Sequence, residues 1–197
     1  MFRKSDRRNR PGMNRKAIIL HMRLFFGLQL DPQTCLDIDH WFTKSLPPMT
    51  HPVPWGNFHI TLVFLGKADD RRLERLSLSA DEIRCPQFEL TLDESGFWNK
   101  PGIFWLGTTE VPMPLLALNK KLKHIASRTG FSTEKRSYQP HVSLARRCKI
   151  PPPAAIEPPD FHVTFDHFSL CESVSTRSGV RYDTINNWSL AGRVGGS

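Results

Sequence analysis

Apolar positions along the chain follow two rhythms, and the switches between them predict the order of elements. Arg23-Leu24-Phe25-Phe26-Gly27-Leu28-Gln29-Leu30 is a short apolar run read as a first strand. Asp31-Pro32 starts a helix, since proline is tolerated in a first turn. Leu36, Ile38, Trp41 and Phe42 give that helix an apolar side, and Pro47-Pro48 lies beyond its end. Pro52, Pro54 and Gly56 mark a loop, after which Asn57 to Gly66 returns to a strand-like run. Asp69 to Arg84 has the helical spacing, with Leu73, Leu76 and Ile83 on one face and charges on the other. Phe88 to Leu92 and Gly102 to Gly107 read as strands around the turn Asn99-Lys100-Pro101-Gly102. Pro114 opens a helix through Leu115, Leu118, Leu122 and Ile125 that stops near Thr129-Gly130. A further strand covers Gln139 to Arg146, and Pro151 to Pro159 excludes helix or inner strand. Phe161 to Leu170, Arg181-Tyr182 and Trp188 to Leu190 complete the strands. Mixed strands and helices without regular βαβ alternation predict an α+β fold.

Two of these runs echo each other. Asn57-Phe58-His59-Ile60-Thr61-Leu62-Val63-Phe64-Leu65-Gly66 and Gln139-Pro140-His141-Val142-Ser143-Leu144-Ala145-Arg146 both carry His-x-(Thr/Ser)-Leu. Strand side chains alternate faces, so His59 shares a face with Thr61 while Ile60, Leu62 and Phe64 take the other. The same rule joins His141 to Ser143 and Val142 to Leu144. Each echo sits in the order strand, helix, His strand, which predicts an internal duplication. A third tripeptide, His162-Val163-Thr164, lacks the following Leu and is read as solvent-facing, with Phe161, Val163 and Phe165 turned inward. His21, His40, His51 and His124 have no partner motif and are read as solvated, and Phe58 and Tyr138 as packing residues.

Charge changes this picture little. The net charge is +8, but residues 1–16 hold seven of the 27 basic residues against one of the 19 acidic ones. That leaves 20 basic against 18 acidic residues, so the excess belongs to the leader and not to the body of the chain. Residues 1–21 are expected to be a basic, disordered tail, 22–192 one bilobal domain, and 193–197 a flexible end. No apolar run approaches the roughly 20 residues of a membrane span, and the start lacks a signal-peptide core. The chain is therefore read as a soluble, cytoplasmic monomer. Cys35, Cys85, Cys148 and Cys171 are scattered without a CxxC pair, which argues for reduced thiols and against zinc.

Two imidazoles near pH 6.5 can be held one protonated and one free, so one donates a proton while the other accepts one. Displacement at phosphorus sets the attacking and leaving oxygens roughly in line, and two histidines from opposite sides suit that geometry. Thr61 and Ser143 can donate to non-bridging phosphate oxygens. A cation three or four residues past Ser143 would add a charge-assisted bond. Regular alternation places Arg147, not Arg146, on the face of Ser143. No metal and no cofactor is needed.

These residues resemble the 2H phosphoesterases, and within them the bacterial RNA 2′,3′-cyclic phosphodiesterases, also called 2′-5′ RNA ligases. The likeness runs from about Arg23 onward. It takes in Arg-Leu-Phe-Phe, Asn-x-His-Ile-Thr-Leu-x-Phe-Leu-Gly, Trp105-Leu106-Gly107, Pro-His-Val-Ser-Leu-x-Arg and the turn into Arg181-Tyr182. Ser143 stands where threonine is commoner, and the hydroxyl survives. The resemblance implies two pseudo-twofold-related antiparallel sheets, helices on their outer faces and a central cleft. It implies hydrolysis of RNA-terminal or nucleoside 2′,3′-cyclic phosphate to a 2′-phosphomonoester, with reverse 2′-5′ joining. In that scheme His59 is the proton donor and His141 the proton acceptor, and Arg146 is the phosphate cation beside Thr61 and Ser143. Partners are RNA ends or cyclic nucleotides, with no membrane. Two other readings differ in class. A non-catalytic RNA-end binding module would bind without turnover, and a metal-dependent hydrolase would lose turnover to a chelator.

Overall fold

A computed structural model describes residues 22–177 and 179–191. The expected tail at 1–21, the C-terminal segment 193–197 and His21 lie outside the described residues. The elements run β1 (Met22–Gln29), α1 (Pro32–Ser45), β2 (His59–Ala68), α2 (Asp70–Ala80), β3 (Phe88–Leu92), β4 (Glu94–Trp98) and β5 (Ile103–Gly107). Then come α3 (Met113–Arg128), β6 (His141–Ala145), β7 (Phe161–Phe165), β8 (His167–Thr176) and β9 (Gly179–Ser189). The α+β expectation holds. Asp31 and Asp69 cap α1 and α2 by accepting from the backbone N–H groups of Thr34 and Arg72. Two expectations shift in detail. Leu36 is exposed and Cys35 takes its place on the buried stripe of α1. β4 pairs with β5 although no strand was read at Glu94–Trp98.

Seven strands form one sheet in the order β4-β5-β6-β2-β1-β8-β9, and β3 pairs with β7 in a second. All strand pairings in both sheets are antiparallel. β2 and β6 meet only at Ile60 opposite Val142, whereas β1–β2 and β5–β6 are paired over longer stretches. The large sheet is thus two half-sheets, β4-β5-β6 and β2-β1-β8-β9, joined at their inner edges. A pseudo-twofold axis passes through the Ile60–Val142 pair. It exchanges β1 with β5, α1 with α3, and β2 with β6.

The symmetry extends to an irregularity. On β2, Thr61 faces Gly27 and Val63 faces Phe26, so Leu62 is an extra residue. On β6, Ser143 faces Trp105 and Ala145 faces Phe104, so Leu144 is extra in the same place. A bulge of this kind switches the face on which later residues emerge. Leu62 and Val63 are accordingly both buried, and Phe64 is 58% exposed. This corrects the alternation that put Phe64 in the core. Bulged residues leave carbonyls that the ladder does not satisfy, and buried carbonyls need partners. The Leu62 carbonyl accepts from Asn119 Nδ2 of α3 at 2.7 Å, and the Leu144 carbonyl accepts from the Val53 N–H at 2.8 Å.

The core lies on the face of the sheet away from the histidines. Leu28, Ile60, Leu62, Leu106, Val142 and Leu144 pack there against Ile38, Trp41 and Phe42 of α1 and Leu115, Leu118 and Leu122 of α3. Asn119→Leu is expected to destabilise the fold by about 1–3 kcal/mol, because it strands the buried Leu62 carbonyl. A lower midpoint in urea unfolding would report the loss, and an unchanged one would contradict it.

Candidate active site

Opposite the core, a cleft of about 330 Å³ opens where the two half-sheets meet, lined among others by His59, Thr61, His141, Ser143 and Arg146. All five residues singled out from the sequence are thereby brought to one place. Continuing the Ile60–Val142 register sets His59 across from Ser143 and Thr61 across from His141. The cleft therefore has two ends, one with His59, Ser143 and Arg146, the other with His141, Thr61 and Phe64.

Each imidazole is held in the same way. His59 Nδ1 lies 2.7 Å from the Asn57 carbonyl oxygen, and His141 Nδ1 lies 2.9 Å from that of Gln139. A carbonyl only accepts, so Nδ1 carries the hydrogen in both rings and Nε2 is the nitrogen left for chemistry. Aromatic walls fix the ring planes. His59 stands 5.0 Å from Phe25 and 4.5 Å from Tyr182 between ring centroids, and His141 meets Trp98 edge-on at 4.5 Å. Asn57 Nδ2 donates to the Val180 carbonyl at 2.7 Å, which ties the loop before His59 to the strand carrying Tyr182.

These surroundings control protonation. Burial, above all, pushes His59 down to about 4, with the Arg146 and His141 charges adding to the effect and the Asn57 carbonyl opposing it. Burial also lowers His141, and the Arg146 charge lowers it further against the Gln139 carbonyl. Both rings are neutral in the free protein at pH 7, ready to accept a proton at Nε2. An anion bound between them would raise both.

Arg146 Nη2 donates to Ser143 Oγ at 3.2 Å, and Arg147 is not among the residues lining the cleft. The bulge at Leu144 accounts for the choice: one extra residue brings position 146 onto the face of Ser143. The strand ends at Ala145, and Arg147 turns away in the left-handed region at φ 55°. Tyr138, read as packing, is half-buried and donates to the Thr61 carbonyl at 3.2 Å, and desolvation pushes its phenol far up. Phe58 is core. The third tripeptide lies on β7 in the small sheet, where His162 is exposed and contacts Thr91 and Asp160, away from the cleft. His40, His51 and His124 are exposed as read. Trp98 was not singled out, and Tyr182 entered only with the turn that carries the resemblance, because the place of both beside the imidazoles depends on pairings across the sheet.

Among the described residues no three His, Cys, Asp or Glu side chains converge into a metal-ligating group, and the four cysteines are free and buried.

The family described as LigT like Phosphoesterase matches residues 46–105. The chain is 35% identical over 171 residues to the RNA 2′,3′-cyclic phosphodiesterase of Escherichia coli (strain K12), covering 85% of this chain and 96% of that one. It is 29% identical over 181 residues to the protein of that name from Bacillus subtilis (strain 168), with coverage of 85% and 96%. Among solved structures, E. coli LigT complexed with 3′-AMP superposes with a TM-score of 0.81 at 35% identity, covering 86% of this chain and 98% of that one.

Proposed function

The chain belongs to the LigT-like phosphoesterase family, and from that premise we propose that it hydrolyses 2′,3′-cyclic phosphates at RNA ends or on nucleosides to 2′-phosphomonoesters. The observation that carries the reading is the symmetric pair of imidazoles. Each presents Nε2 from one end of a shared cleft, with its Nδ1 held by the carbonyl two residues earlier.

In this mechanism the cyclic phosphate lies between the two rings. His141 Nε2 accepts a proton as water attacks phosphorus, and a new P–O bond forms in line with the P–O3′ bond that breaks. His59 Nε2 gives its proton to the departing 3′-oxygen, leaving a 2′-phosphate and a 3′-hydroxyl. Thr61, Ser143 and Arg146 meet the non-bridging oxygens, where charge accumulates in the transition state. His59 is neutral in the free protein, so the donor role depends on the bound anion to raise it.

Two measurements test the reading. Purified protein with 2′,3′-cyclic AMP in EDTA should give 2′-AMP, and a 3′-phosphate product or binding without turnover would overturn the proposal. The pH profile is the second. The reaction needs one protonated imidazole, and both free-protein values lie below the ordinary 6.5. kcat/KM should therefore peak below pH 6.5 and fall about tenfold per unit above it. kcat, set by the anion-bound complex, should peak at higher pH. A kcat/KM still climbing on the alkaline side of neutrality would contradict this.

A further inference from the structure

The pseudo-twofold axis relates two positions that differ sharply in bulk. Gly27 lies opposite Thr61 as Trp105 lies opposite Ser143, and Gln29 lies opposite His59 as Gly107 lies opposite His141. Directly paired residues share a sheet face, so all four stand on the side of the histidines. In the His141 lobe the space is filled. The Trp105 indole is buried, stands 5.3 Å from Trp98 between ring centroids, and lies so close over Gly96 and Gly107 that a Cβ on either would collide with it. In the His59 lobe Gly27 places no side chain there, and a second cavity of about 270 Å³ remains. Gln29, Trp55, Cys171 and Thr184 line it among others, and His59 lines both this cavity and the cleft.

The chemistry of this second cavity suits a neutral heterocycle. No Asp, Glu, Lys or Arg is among its lining residues, so it offers a phosphate nothing. Trp55, on the 3-10 turn Trp55–Asn57 before β2, keeps its side chain 42% exposed. Gln29 is half-buried, and its amide nitrogen donates to Thr184 Oγ1 at 2.5 Å and to Cys171 Sγ at 3.7 Å. Those contacts hold the amide and occupy both of its N–H bonds, which leaves the Gln29 carbonyl oxygen as an acceptor. A nucleobase matches these groups, with a π-face for Trp55 and a ring or exocyclic N–H for Gln29.

We propose that this cavity receives the base of the nucleotide whose cyclic phosphate is opened, with Trp55 and Gln29 as the residues that recognise it. The inference rests on the hydrolytic reading above and deepens it. In that displacement the 2′- and 3′-oxygens belong to one ribose, and the 3′-oxygen departs at His59. The nucleoside therefore lies at the His59 end, beside the lobe that Gly27 leaves open. Water arrives at His141, and the lobe that Trp105 closes has no base to admit. The duplicated fold is thus made one-sided by a glycine in one lobe and a tryptophan in the other.

The test uses the full chain with 2′,3′-cyclic AMP and with ribose 2′,3′-cyclic phosphate, which has no base, each as substrate and as competitor of the other. Stacking of one base on an aromatic ring accounts for roughly tenfold or more in affinity. The wild type should therefore bind the nucleotide about tenfold tighter than the sugar. Trp55→Leu should raise KM for cyclic AMP about tenfold more than for the sugar, and Trp55→Phe should recover most of the difference. The loss should fall on KM and not on kcat, because the base makes the same contact before and during the displacement. Gln29→Met keeps the side-chain length and removes the acceptor, and should raise KM for cyclic AMP about fivefold more than for the sugar, the scale of one hydrogen bond. Equal binding of nucleotide and sugar by the wild type would overturn the subsite. So would equal losses on both in Trp55→Leu. A wild type that opens neither cyclic phosphate would sink the hydrolytic reading itself.

Discussion

His59→Ala and His141→Ala are each expected to lower kcat for 2′,3′-cyclic AMP by about 10³-fold, within the range for a positioned general acid or base. That corresponds to about 4 kcal/mol of transition-state stabilisation. The two rings act on opposite oxygens in one displacement, so the double variant should be little worse than either single one. Independent roles would multiply instead, to about 10⁶-fold. Alanine at 59 also empties the space between Phe25 and Tyr182. His59→Gln, closer in volume, should lose activity as severely while keeping the melting temperature, which separates chemistry from packing. Near-wild-type turnover in either histidine variant would remove the catalytic assignment.

The fold was legible where local chemistry decides it. Capping aspartates, prolines and the spacing of Leu115, Leu118 and Leu122 announced the helices, and two His-x-(Thr/Ser)-Leu runs announced the strands at the centre. What escaped depends on partners far away in sequence. β4 is a half-buried strand that exists because β5 pairs with it. Alternation placed Phe64 in the core and favoured Arg147 over Arg146, and both readings failed for one reason. A bulge is set by the register of the neighbouring strand, Gly27 against Thr61 in one case and Trp105 against Ser143 in the other. Nothing in Leu62 or Leu144 alone signals it. The family resemblance pointed to Arg146, and the bulge supplies the physical reason.

Arg146 carries the second large expectation. Arg146→Gln should lower kcat by about 10²-fold to 10³-fold, the cost of losing a donor aimed at developing oxyanion charge. Its guanidinium already contacts Ser143 Oγ, so the glutamine variant loses a fixed charge and unlinks the hydroxyl together. A second readout has a definite sign. The Arg146 charge lowers both His59 and His141, so its removal raises both, and the kcat/KM optimum should move to higher pH. A residue that merely stabilised the end of β6 would lower activity or stability without moving the profile. Arg147→Asn is the control, since asparagine tolerates the left-handed backbone there and Arg147 does not line the cleft. A profile shift in Arg147→Asn and none in Arg146→Gln would transfer the phosphate cation to position 147. It would also require β6 to continue past Ala145 without the extra residue at Leu144, against the pairing of Phe104 with Ala145 and Trp105 with Ser143.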